Sequence, residues 1–334
     1  MRRPRLAVTC GDVAGIGPEI IVRGWSELIR HGEIVVFGDV GWLEKAAARW
    51  NPSLRVGTVV QPSAATATPE SMPVLQATKQ DLHVVRMGEV SAAAGQAAYD
   101  FLCRAIHEAL AGNVDAIVTA PLHKEGLRAA GLPYPGHTEI LAEKTGAARH
   151  AMLLWGRGLT VGHVTLHMSL REALDRITKE AIVETTRLVH DMVRRLTDRS
   201  AVRLAIAAVN PHASDGGLFG DEERRIVQPA VAAARDEGIP VDGPLPADTL
   251  FVRADRGEFD GIVAMYHDQG HIPMKLRCGW DLVNITAGLP IVRTSVAHGT
   301  AYDIAGQGVA DPASLIAAAQ VAGRLVSRSP EGIR

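Results

Sequence analysis

Three histidines carry the clearest chemical signal in this sequence. His167, His212 and His267 each follow a short apolar run that reads as a strand, and each sits in a distinctive local context: HVTLHMS, VNPHASDGG and MYHDQGH. Neutral imidazole is the commonest side-chain metal ligand, and three such ligands leave coordination positions open for Lewis-acid work. A single histidine after a strand is more often a surface or hydrogen-bonded residue, so the reading rests on the repetition. There is no HExxH, which excludes the zincin arrangement. His163 lies four residues before His167 on the same strand-like run, could share a face with it, and competes with it as a ligand.

Other chemically suggestive residues gather in similar places. The segment GDVAGIGPEI, Gly11 to Ile20, joins an expected strand to an expected helix, where backbone N–H groups can meet an anion. It lacks the Lys-Ser/Thr of a P-loop and the third glycine of GxGxxG, and a tight turn would need the same glycines. In NPHASDGGLFGDEE, His212 precedes an acidic stretch, Asp221-Glu222-Glu223, of the kind that begins many helices. Lys275, Asn284 and Arg293 follow His267 in apolar or glycine-rich surroundings, and Lys with Arg suits a phosphate plus a carboxylate. Asp248, in GPLPADTLF, and Lys275 are the candidates for moving a proton.

The elements that must position these residues alternate. Leu6–Thr9, Ile34–Phe37, Ala116–Thr119, Met152–Trp155, Leu159–Thr165, Leu204–Val209 and Gly261–Met265 read as strands. Pro18 to Arg30, Gly41–Arg49, Ser91–Leu110, His137–Thr145, Lys179–Leu196, Glu222–Glu237 and Pro312–Val326 read as helices, the last capped by Asp311. Residues 51–90 resist assignment, with Pro62–Pro73 expected as a loop or edge excursion. Such alternation implies an α/β fold with mostly parallel sheet, whose ligands bind beyond the carboxyl ends of the strands.

Bulk composition excludes several classes. The chain has 334 residues, enough for about two domains. With 35 basic and 37 acidic residues its net charge is −2, which favours neither nucleic acid nor an anionic membrane as partner. Cys10, Cys103 and Cys278 are an odd, dispersed set that argues against a disulfide framework and for a reducing compartment. No run resembles a signal segment or a membrane span, so a cytoplasmic protein is expected.

Taken together and in order, GDVAGIGPEI, TAPLHKEGL, GHTEILAE, NPHASDGGLFGDEE, YHDQGHIP and TSVAHGTAYDIAGQG resemble the motifs of the 4-hydroxythreonine-4-phosphate dehydrogenase family of pyridoxal phosphate (pyridoxine) biosynthesis. The resemblance covers nearly the whole chain. It implies two α/β/α domains with a cleft between them, similar to isocitrate and isopropylmalate dehydrogenases, with residues 1–130 and 290–334 forming one domain and 131–289 the other. It also implies a homodimer with its active site at the subunit interface. The family's divalent metal (zinc, magnesium or cobalt) would then rest on His167, His212 and His267. Substrate contacts would fall on His137, Thr138, Lys275, Asn284 and Arg293, and NAD or NADP contacts on Asn284, Gly288 and Gly299. The implied reaction is oxidation of the 3-hydroxyl of a small phosphorylated hydroxy acid, followed by decarboxylation.

Val13, Ala297 and His271 depart from the biosynthetic pattern, and the run HVTLHMSLREALDRIT is similar to sibling enzymes acting on 4-phospho-D-threonate or 4-phospho-D-erythronate. From another class, a non-dehydrogenase α/β protein binding phosphate at Gly11–Gly17 is the competing expectation.

Overall fold

The computed structural model describes residues 2–197, 199 and 201–328. Its strands are, in chain order, β1 (Arg5–Thr9), β2 (Glu33–Gly38), β3 (Arg55–Val59), β4 (Ser71–Gln76), β5 (Ala116–Thr119), β6 (Ala151–Gly156), β7 (Leu159–His163), β8 (Leu204–Ala207), β9 (Val241–Leu245), β10 (Gly261–Ala264), β11 (Val283–Ala287) and β12 (Val292–Val296). The chain divides into two compact units, residues 1–149 with 289–334, and residues 150–288.

In the first unit the strand order is β3-β4-β2-β1-β5-β12, and every pairing is parallel. Parallel strands covered on both faces are apolar throughout, which is why LAVT, IVVF and AIVT lack the alternation of half-exposed strands. Val8 of β1 sits between Val36 of β2 and Val118 of β5, and Val118 pairs in turn with Thr294 of β12. The helix Ala92–Leu110 packs on this sheet through Leu102, Ala105 and Ile106, which join Val35, Phe37 and Ile117 in one buried cluster. Its first turn is closed by Ser91, whose hydroxyl accepts from the Ala94 N–H. Each large apolar side chain buried this way contributes about 1.5–3 kcal/mol over leaving it exposed.

Three expectations change here. The first crossing between units follows Arg149 rather than residue 130, because Ile140 and Leu141 of the helix His137–Thr145 belong to the first unit's core. The helix expected from Pro18 to Arg30 is two helices, Gly17–Arg23 and Trp25–Leu28, parted at Gly24. The unassigned stretch holds β3 and β4. Strand β3 is an edge strand with little buried surface, and β4 carries Pro73, so neither shows an ordinary strand pattern.

In the second unit the order is β11-β6-β7-β10-β8-β9. Strand β6 runs antiparallel to both neighbours, and the other pairings are parallel. The helix Lys179–Leu196, capped by Thr178, lays Val189 and Val193 over this sheet. Among the described residues no helix is long and apolar enough to cross a membrane.

Candidate active site

The expected site residues sort into two groups, one in each unit. In the second unit, β10 ends at Ala264 and the helix His267–Cys278 starts after two intervening residues, with His267 in its first turn. The His267 Nδ1 atom lies 2.6 Å from Asp268 Oδ1. A carboxylate only accepts, so the imidazole proton sits on Nδ1 and Nε2 keeps its lone pair. The His167 ring lies 5.8 Å from the His267 ring, centroid to centroid. His167 is exposed, in the loop that follows β7. That strand stops at His163, earlier than Thr165, so the two histidines of that run do not share a strand face. His163 is buried instead.

His212 stands on a loop of unusual backbone. Residues 212–216 all adopt left-handed conformations, with φ of 52°, 55°, 69°, 44° and 69°. What holds this loop is Glu223, buried at the start of the next helical segment. Its Oε1 accepts from the backbone N–H of Val209 at 2.8 Å and of Asn210 at 2.7 Å. Its Oε2 accepts from Asn210 Nδ2 at 2.9 Å and from the Ser214 hydroxyl. The sequence offered Glu223 only as part of an acidic helix start; its reach back across the loop is a tertiary property. Among the described residues no three His, Cys, Asp or Glu side chains are gathered as a ready metal-binding group. The structure thus brings His167 and His267 near each other and leaves His212 apart on its own anchored loop.

The other candidates of this unit are placed more openly. Lys275 is exposed two turns along the helix from His267. Asp248 is exposed in the first turn of the helix Ala247–Asp255, an ordinary place for a carboxylate, and nothing marks it as a base. Asn284, on β11, has a buried Oδ1 with no hydrogen-bond donor among the described residues, so it can accept from a ligand. Gly288 follows that strand, exposed, with φ 84°.

In the first unit Arg293 is almost wholly buried on β12. Its Nη2 donates to Thr119 Oγ1 at 2.7 Å, and Thr119 donates on to Ser295 at 2.8 Å. Burial disfavours the guanidinium charge and pushes its pKa down, and the Glu139 carboxylate only partly opposes this. Burial and the charge of Arg293 together hold His137 well below the usual imidazole range, so that ring is neutral. A buried cation beside a neutral imidazole suits an anionic ligand, whose charge would replace the lost solvation. Thr138 adjoins His137 in the same helix, half-buried, and Gly299 is exposed beyond β12.

The glycine-rich loop does different work. Asp12 N–H donates to Pro121 O, Ala14 N–H to Asp12 Oδ1, Gly15 N–H to Asp12 O and Ile16 N–H to Thr300 O. The donors an anion would need are already spent within the unit. Gly11, with φ 66°, is required because a Cβ would lie 2.2 Å from Pro121 O. The phosphate-loop expectation is therefore withdrawn in favour of close loop packing. A cluster the sequence reading missed lies here: Tyr302 Oη donates to the buried Asp12 Oδ2 at 2.9 Å, and the His123 ring stacks on Tyr302 at 4.5 Å.

Comparison with known proteins places this equipment. The chain is 46% identical to the 4-hydroxythreonine-4-phosphate dehydrogenase of Beijerinckia indica, with 97% of this chain and 96% of the relative aligned. It is 44% identical to the D-threonate 4-phosphate dehydrogenase of Pectobacterium atrosepticum, over 96% of this chain and 98% of the relative. The crystal structure of 4-hydroxythreonine-4-phosphate dehydrogenase from Klebsiella pneumoniae superposes with a TM-score of 0.88 at 44% identity, covering 97% of this chain and 99% of that one. Similarity over such full lengths makes the chain an α/β dehydrogenase acting on a CH–OH group. More narrowly, residues 30–322 match the family described as pyridoxal phosphate biosynthetic protein PdxA, and the chain belongs to that family.

Proposed function

We propose that the chain oxidises 4-hydroxythreonine 4-phosphate at its 3-hydroxyl with NAD or NADP and a divalent metal, and that decarboxylation to 3-amino-2-oxopropyl phosphate follows. The observation that carries the metal part is the tautomer of His267: Asp268 fixes its proton on Nδ1, leaving a lone pair on Nε2 of a ring whose centroid lies 5.8 Å from that of His167. With His212 they would supply an all-imidazole ligand set, which suits zinc or cobalt better than the harder magnesium. Such an ion supplies Lewis acidity, lowering the pKa of a bound hydroxyl and stabilising the negative charge that develops as hydride departs.

The chain's own residues do the rest. Arg293 holds the phosphate or carboxylate of the substrate, and neutral His137 accepts or donates a hydrogen bond beside it. Asn284 offers Oδ1 to a substrate or cofactor hydroxyl. Lys275 adds a second cation for the substrate's other anionic group and, with Asp248, is the candidate for proton movement. Gly288 and Gly299 carry no side chain and leave room for the nicotinamide cofactor. The chain works as a homodimer whose sites draw on both subunits; Ile272 and Leu276, four apart on the helix and exposed by 55% and 83%, are the apolar surface that supports this.

A second substrate, D-threonate 4-phosphate, is favoured by the run HVTLHMSLREALDRIT, which resembles the sugar-acid siblings, and by the relatives of that name. The experiment is a panel of 4-hydroxythreonine 4-phosphate, D-threonate 4-phosphate and D-erythronate 4-phosphate, each with NAD and with NADP. Turnover of the amino compound above the two hydroxy acids supports biosynthesis, and the reverse order selects the sugar-acid reading.

A further inference from the structure

The helix that begins at His267 carries a second imidazole on the same face. His271, one turn on, stacks on His267 with ring centroids 3.7 Å apart and planes inclined by only 10°. Residues four apart on a helix lie one above the other, so the contact is a direct product of the spacing. His271 is buried, whereas the His267 side chain is 40% exposed. A buried ring thus backs an exposed one.

His271 is itself held from behind. Its Nδ1 lies 3.1 Å from the His267 carbonyl oxygen and 3.1 Å from His163 Nε2. The carbonyl only accepts, so Nδ1 of His271 carries the proton, and His163 Nε2 must accept. That assigns one neutral tautomer to each ring. His163 sits at the end of β7, almost fully buried, and its ring centroid is 4.6 Å from that of His271. The approach depends on Gly270, because a Cβ there would fall 2.3 Å from His163 Nε2. A rigid strand, a glycine and two imidazoles therefore form a stack that ends on the face of His267.

We propose that His271 is a positioning residue whose buried ring face fixes the plane of the His267 imidazole for metal binding. The inference rests on the reading of His267 as a metal ligand. Asp268 selects the tautomer of His267, and the stack selects its orientation; the two constraints act on different degrees of freedom. A ligand whose ring is already aligned loses less conformational entropy when a metal binds, and removing such outer supports typically weakens metal binding by about 10–100-fold.

The test titrates the metal-free protein with Co2+ alone, followed by its visible ligand-field absorption, and with Zn2+ by chelator competition. His271→Ala removes the stack and is expected to weaken both metals by about 10-fold. His271→Phe restores a flat ring and is expected to bind within about 2-fold of the parent, with the parent's Co2+ spectrum. His271→Leu, which keeps the volume but offers no flat ring, is expected to bind less tightly than His271→Phe, and stands in for His271→Ala if that variant does not fold. Parent-like affinity in both the Ala and Leu variants overturns the proposal. So does a Phe variant as weak as Ala, since the ring nitrogen rather than the ring face would then be required. A parent protein that binds neither metal, or a His267→Ala variant that binds as well as the parent, overturns the metal reading beneath it instead.

Discussion

Replacing Glu223 tests how His212 is kept in place. Four non-glycine residues of its loop, His212, Ala213, Ser214 and Asp215, have left-handed backbone. At about 1–2 kcal/mol each, the loop conformation carries roughly 4–8 kcal/mol of local cost. The compensating interactions visible around it converge on the Glu223 carboxylate, which takes two backbone N–H groups, the Asn210 amide and the Ser214 hydroxyl. Hydrogen bonds to a charged group contribute about 1.5–3 kcal/mol each and are not additive. Glu223→Ala strands these donors and should cost about 3–5 kcal/mol of stability. Glu223→Gln should cost less, about 1–2 kcal/mol, because its carbonyl oxygen still accepts from the Val209 and Asn210 N–H groups and Ser214 rotates to accept, while the Asn210 amide loses Glu223 but keeps Glu222 as its acceptor. Denaturant midpoints of the two variants give the stability half. Competition with a metal chelator gives the other, since a relaxed loop moves His212: affinity should fall about 10–100-fold in Glu223→Ala and little in Glu223→Gln. Equal loss in both variants, or an unchanged metal affinity in Glu223→Ala with the expected loss of stability, would refute the reasoning.

Other expectations follow from the same structure. Arg293→Met should lower kcat/KM on phosphorylated substrate by about 100-fold or more, yet leave the ligand-free protein as stable as the parent, because it removes a cation that burial disfavours; a large loss of thermal stability would contradict this. Burial pushes His163 down to about 3, below the unfolded value of 6.5. The unfolded chain therefore binds the extra proton first, and stability present above pH 6.5 is lost as pH falls toward 3, at about 1.4 kcal/mol per pH unit. His163→Leu should remove about one proton from that slope, as read from denaturation at pH 7 and pH 5. Tyr302→Phe deprives buried Asp12 of a donor and should cost about 1–2 kcal/mol. Because burial already raises the Asp12 pKa, protonation relieves the charge, and the cost should shrink as pH falls below neutral; a pH-independent loss would show that the carboxylate is not involved.

Much of this was legible because the buried parallel strands leave continuous apolar runs and the catalytic candidates stand just past them. His267 was visible in that way, and so was Arg293, a lone cation in an apolar stretch. His163 was not distinguishable from a ligand: LTVGH is buried along its whole length, so no alternation tells which of its side chains meets another element. Its partner His271 lies 108 residues away, and Glu223 meets the N-terminal side of its own loop only once the left-handed turn is made. The edge strands β3 and β4 were hidden by Pro73 and by exposure. The glycine loop misled in the opposite direction, since free backbone donors cannot be told from spent ones until Pro121 and Thr300 are in place.

The measurement that bears most directly on the account is the rate of NAD or NADP reduction on the three phosphorylated acids, before and after chelation and with zinc, cobalt or magnesium restored. The account predicts reduction with at least one substrate, loss of it on chelation, recovery with added metal, and no recovery in His267→Ala. Full turnover in the chelated protein, or in His267→Ala, would contradict it.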